Sequence, residues 1–178
     1  MKTSVKVSLG GAVAALGLVM MFMTALIPFG TFAFPTFAGM LLVVIVIEIG
    51  YSFALSVYVV TAILSFLLVP DKEAALIYTM FLGFYPIIKS LIERIPSKFV
   101  QYIVKFAVFN VCVIADFFIG INLLSIPKDS YIIFGVYLPA VFLVIGNVFF
   151  LIYDICITRI VTFYLLKWHK KLNKNTKL

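Results

Sequence analysis

Hydrophobic and polar positions do not alternate along this chain; charge is absent over long stretches. No Asp, Glu, Lys or Arg occurs in the 41 residues from Val7 to Ile47, and residues 36–69 contain a single charge, Glu48. One crossing of a hydrocarbon core of about 30 Å takes roughly 20 helical residues. As unbroken helix, the stretch 7–47 would reach about 61 Å at about 1.5 Å per residue. It must therefore reverse, and "IPFGTFAFPTFAG" at 27–39 is where it can, through Pro28, Gly30 and Pro35. Residues 36–69 would reach about 51 Å, so a second turn is expected around Glu48-Ile49-Gly50.

The later breaks are "VPDKEA" at 69–74, "ERIPSK" at 93–98 and "SIPKDS" at 125–130. Each pairs a proline with candidate helix N-caps: Asp71, Ser97, and Asp129 or Ser130. The pattern predicts spans at about 5–27, 36–48, 51–69, 73–92, 99–124 and 131–153. Residues 154–168 continue the sixth helix or form a separate interfacial helix, and 169–178 are a basic cytoplasmic tail. The expected fold is thus an all-α integral membrane protein, a single six-helix transmembrane domain over 1–168. The start of the chain reads as a retained first span, because its apolar run is too long for a signal peptide and further spans follow at once.

Composition agrees with this reading. Hydrophobic residues make up 65% of the chain and charged residues 12%, where soluble domains carry about 25% charged residues. The charge of +7 then concerns orientation and phospholipid contact rather than nucleic acid. With the N-terminus in the cytoplasm, 12 basic residues fall inside and two, Lys72 and Lys128, outside. The positive-inside rule therefore places both termini in the cytoplasm, and a bacterial cell membrane is the expected location. Cys112 and Cys156 lie in apolar runs without ligand partners, and His169 sits among lysines, so no metal or cofactor is expected. No nucleotide-binding or hydrolase motif occurs, and the chain does not read as an enzyme.

Charged and polar residues inside spans are the functional candidates. Asp116 is the deepest, and either contacts a substrate or bonds to a neighbouring helix; Asn110 and Asn122, six residues away on either side, cannot share its helix face, and Asn147 in span 6 is a weaker candidate. Glu48 and Lys89 are both near the cytoplasmic interface, and a structural ion pair is expected between them or between Glu48 and Arg94. Gly10-x-x-x-Ala14 and Gly11-x-x-x-Ala15 in span 1, with Ser52-x-x-x-Ser56 in span 3, are small-residue faces that serve either bundle packing or a partner subunit.

Six short spans, the small-residue opening "SLGGAVAALG" and the uncharged loop after span 1 resemble the substrate-binding S component of energy-coupling-factor (ECF) transporters. "VIEIGYSFAL", "SFLLVPDKEAALIY" and "FLGFYPIIKSLIER" are more closely similar to uncharacterised small membrane proteins of Gram-positive bacteria. The S-component resemblance implies capture of a vitamin or similar micronutrient in the outer half of the bundle, with the loop after span 1 as a lid. It implies docking on a membrane coupling subunit powered by two cytoplasmic ATPases. Gly11 and Ala15 would be docking residues, with Ser52 and Ser56 as looser equivalents. Tyr78, Tyr85, Asp116, Asn122, Tyr131 and Tyr137 are the ligand-contact candidates, chosen for depth and polarity. The competing reading is a structural or scaffolding membrane protein, such as a cell-shape factor similar to MreD, with no transport role.

Overall fold

The computed structural model describes residues 2–27, 30–122, 132–133, 136–137 and 139–169. Helix α1 runs Thr3–Met23, α2 Gly30–Glu48, α3 Tyr51–Leu68, α4 Lys72–Ile77, α5 Tyr85–Ile92, α6 Lys98–Asn122 and α7 Pro139–Tyr164. A π-helical turn, Tyr78–Leu82, joins α4 to α5, and another, Leu165–His169, continues α7. Two-residue strands β1 (Ile132–Ile133) and β2 (Val136–Tyr137) pair antiparallel before α7. Six of these segments are long and apolar enough to cross a membrane, with α4 through α5 counting as one.

The helices alternate in direction. What we call the near end carries the start of α1, and the far end carries the start of α2. At the near end, α2 gives way to α3 through Gly50, whose φ of 118° lies where only glycine is unstrained. Its N–H closes the turn onto the Ile45 carbonyl at 3.1 Å. At the far end, Asp71 caps α4 as expected, accepting the Ala74 N–H at 3.0 Å. Its other oxygen accepts from the Thr31 hydroxyl at 3.1 Å, tying the α2 start to the α3–α4 turn.

Two boundaries differ from the sequence reading. The segment expected to be loop up to residue 35 is helix from Gly30 onward, with Pro35 buried inside it. Pro35 lies near enough to the helix start that its missing N–H leaves essentially one carbonyl, that of Thr31, without its helical partner. The reversal is therefore confined to residues 24–29, of which Pro28 and Phe29 are outside the described residues. The last helix begins at Pro139 rather than 131, and its apolar window runs from Leu143 to Lys167. The stretch after 153 is thus a direct continuation of α7.

Three apolar clusters hold the bundle. One joins Met21, Ala38, Ala62 and Tyr78; a second is built on Val13, Leu42, Ile45, Ala54 and Ile87. The third, aromatic, joins Phe81, Tyr85, Phe109, Phe150 and Tyr153, with Phe109 stacked on Phe150 at 4.8 Å between centroids. Outside these clusters the surface is strongly apolar: Leu26, Leu67 and Phe99 are each more than 70% exposed. Such a surface demands a lipid or protein cover.

Candidate functional site

The polar interior of the bundle is a network on α5, α6 and α7, near but not at the near end. Tyr85, Lys89 and Glu93 follow each other at four-residue steps and so form one column along α5 and its C-cap. Gln101, Lys105 and Phe109 form a second column on α6, and Phe150 and Asp154 a third on α7. Where the columns meet, Asp154 Oδ1 accepts from the Tyr85 hydroxyl at 2.6 Å and from the Lys89 ammonium. Lys105 Nζ reaches both Asp154 oxygens at 3.1 Å and Glu93 Oε1 at 2.9 Å. Lys89 closes the circuit to Glu93 at 2.7 Å.

Two ammonium groups thus face two carboxylates, and the cluster is neutral. Lys89, Lys105 and Asp154 are buried, while the Glu93 side chain is 38% exposed and forms the outlet to the near-end surface. Burial pushes the Glu93 carboxyl up, but hydrogen bonds and charge from Lys89 and Lys105 outweigh that and hold it below its ordinary range. Gln101 braces the connecting turn, donating to the Ile95 carbonyl at 2.6 Å. Phe81, Phe109, Phe150 and Tyr153 close over the network from the far side. The arrangement fixes three helices together and gives both Asp154 oxygens a partner.

The expected Glu48–Lys89 pair is corrected here: Lys89 is held by Asp154 and Glu93, whereas Glu48 accepts the Tyr164 hydroxyl at 2.8 Å. The reason is helix phase. Lys89 faces α6 and α7, while Glu48 ends α2 beside the last turn of α7. Sequence reading missed Asp154 because a sixth span ending at 153 put that residue at the interface. The available signal was its isolation: it is the only acid between Leu143 and Lys167.

A second polar group lies toward the far end. Asp116 Oδ1 is fully buried and has no hydrogen-bond partner among the described residues. Glu73 on α4 acts on it electrostatically, and Cys112 lies one turn below it on α6. Asn110 and Asn147 pair reciprocally at 3.0 Å in both directions, which absorbs them into α6–α7 packing. Asn122 is exposed and bonds back to the Phe118 carbonyl at 2.9 Å. Tyr78 is buried against Tyr58, and Tyr85 belongs to the ion network rather than to the far-end group. Tyr131, Asp129, Ser130 and the basic tail from 170 lie outside the described residues; of Tyr137 only the backbone is described. The structure therefore brings Tyr78 and Asp116 to the far half, takes Tyr85 into the ion network and leaves Asn122 on the exposed surface.

The small-residue faces divide cleanly. A Cβ on Gly10 would meet Phe53 at 2.7 Å, and one on Gly17 would meet Thr61 at 3.4 Å, so these glycines close α1 onto α3. Gly11 has open space around it, and Ala15, Ser52 and Ser56 are exposed. The pairings Gly10–Phe53 and Gly17–Thr61 run in the same direction, so α1 and α3 are parallel. At about 100° per residue, Gly11 turns one step past its contact residue and Ser52 one step before its own. Gly11, Ala15, Ser52 and Ser56 therefore each lie on an outward face of α1 or α3.

Together these features define a bundle of six helices long and apolar enough to cross a membrane, with a buried ion network inside it. Comparison with known proteins finds no protein family, no curated protein and no solved structure that matches this chain.

Proposed function

We propose that this chain is a multi-pass protein of the bacterial cell membrane, both termini cytoplasmic, acting as the solute-capturing S component of an ECF-type importer. The observation that carries the reading is the exposed small residues Gly11 and Ala15 on α1 and Ser52 and Ser56 on α3, beside a tightly closed Gly10–Phe53 seam. Small residues on an exposed helix face permit the close backbone approach on which helix association in lipid depends. Under this reading these residues dock a membrane coupling subunit driven by two ATPases. A solute meets the far half near Asp116, whose buried Oδ1 lacks a partner among the described residues.

The test is co-purification of the tagged chain from its native membrane, comparing Gly11→Leu with Gly10→Leu. Gly11→Leu is expected to leave the thermal transition in place and to lose the coupling subunit, because Gly11 faces open space. Gly10→Leu is expected to damage the bundle itself. Wild-type protein that brings down neither coupling subunits nor a small molecule overturns the reading. The scaffolding alternative draws on a different observation: the Lys89–Lys105–Asp154–Glu93 cluster is internally satisfied and needs no ligand. A shape defect on gene deletion, without a nutrient requirement, would decide for it.

A further inference from the structure

A groove of about 460 Å³ opens on α7 between Arg159, Ile160, Phe163 and Tyr164. These residues form two i,i+4 pairs, so the groove follows a single stripe of the helix. One wall is fixed, since the Tyr164 hydroxyl is already donated to Glu48 at 2.8 Å. Arg159 is exposed and makes no hydrogen bond or ion pair with a described residue. One turn beyond Phe163, the Lys167 ammonium lies 5.2 Å from the Phe163 ring centroid. Two cations therefore flank an apolar cleft along about 12 Å of helix. The sequence that follows adds Lys170, Lys171, Lys174 and Lys177.

We propose that this groove binds one anionic phospholipid, its phosphate on Arg159 and the start of an acyl chain along Ile160 and Phe163. The inference rests on the membrane placement proposed above but not on the importer assignment. A guanidinium presents a rigid fork of donors that matches phosphate oxygens. A cation at the mouth of an apolar cleft matches a molecule that is anionic at one end and hydrocarbon at the other. A second copy of the chain is a less suited occupant, because the carboxylates among the described near-end residues are already engaged. Glu93 and Asp154 are shared between Lys89 and Lys105, and Glu48 holds Tyr164.

The test is native mass spectrometry of the full chain in detergent titrated with phosphatidylglycerol or phosphatidylcholine. Wild type is expected to retain one phosphatidylglycerol with about fivefold preference over phosphatidylcholine, the effect of one basic group at an anionic surface. Arg159→Gln should lose that preference, and Arg159→Lys should keep most of it. Equal binding by wild type and Arg159→Gln overturns the proposal, as does displacement by glycerol phosphate as effective as by whole lipid, which would make the ligand a free anion. A stable dimer that excludes lipid from wild type but not from Phe163→Arg would assign the groove to a second copy and also overturn it. Matching thermal transitions establish that the variants are folded. A chain that does not enter micelles at all removes the membrane placement, an outcome distinct from loss of lipid preference.

Discussion

The Tyr153 hydroxyl donates to the Leu82 carbonyl at 2.9 Å, across 71 positions of sequence. In a regular helix that carbonyl would accept the N–H of residue 86, but residue 86 is proline and has none. The neighbouring Thr79 carbonyl is freed in the same way, because the Gly83 N–H turns back to Tyr78 at 2.8 Å. Tyr58 donates to that carbonyl at 2.6 Å. The α4–α5 kink is therefore repaired from outside by two tyrosines on other helices. This is how a broken helix keeps its polar groups paired away from water.

Replacing Tyr153 by Phe should accordingly destabilise the bundle by about 1–3 kcal/mol, the cost of a buried carbonyl left without a donor. Thermal unfolding in detergent measures it. Adding Pro86→Ala should recover part of the loss, since residue 86 then supplies its own N–H. A double mutant no better than Tyr153→Phe alone would contradict this account.

Gly39 on α2 packs directly on the same bond. A Cβ there would collide with the Leu82 carbonyl and come within 2.8 Å of the Tyr153 hydroxyl. Gly39→Ala should therefore cost about 1–3 kcal/mol through overpacking, although alanine is otherwise the better helix former. Gly11→Ala, in open space, should be neutral or slightly stabilising in the same assay.

Breaking the ion network from one side should be worse than removing it evenly. Asp154→Leu leaves two buried ammonium groups short of counter-charge, with an expected loss of about 3–5 kcal/mol. Pairing it with Lys89→Met restores balance and should recover much of that loss. Refolding yield and thermal midpoint for the two single mutants and the double form the test.

The Glu93 carboxyl, held below its ordinary range, sets a pH dependence with a definite sign. A depressed folded value means the contribution is fully present above the unfolded value of about 4.3 and is lost as pH falls through the folded value. The stability difference between wild type and Glu93→Gln should thus be constant near neutrality and shrink below about pH 4. Because the side chain is 38% exposed, the effect should be modest and should weaken further in high salt. A difference that grows on acidification would exclude Glu93 as the responsible group.

Lengths and chemical character were legible in the sequence. Six apolar segments, a reversal near Gly30, a glycine turn at Gly50 and the Asp71 cap follow from helix rise, hydrocarbon thickness and local backbone chemistry, all of which act within a few residues. What each polar residue meets was not legible, because that depends on helix rotation and on offset along the bundle axis. Ending the sixth span at 153 was enough to hide Asp154, and with it the partner of Lys89 and Lys105. Likewise Gly10 and Gly11 are adjacent and chemically identical, yet one seals α1 to α3 and the other faces open space. Their 100° difference in direction has a meaning only once a neighbouring helix is in place, and only the tertiary structure supplies the neighbour.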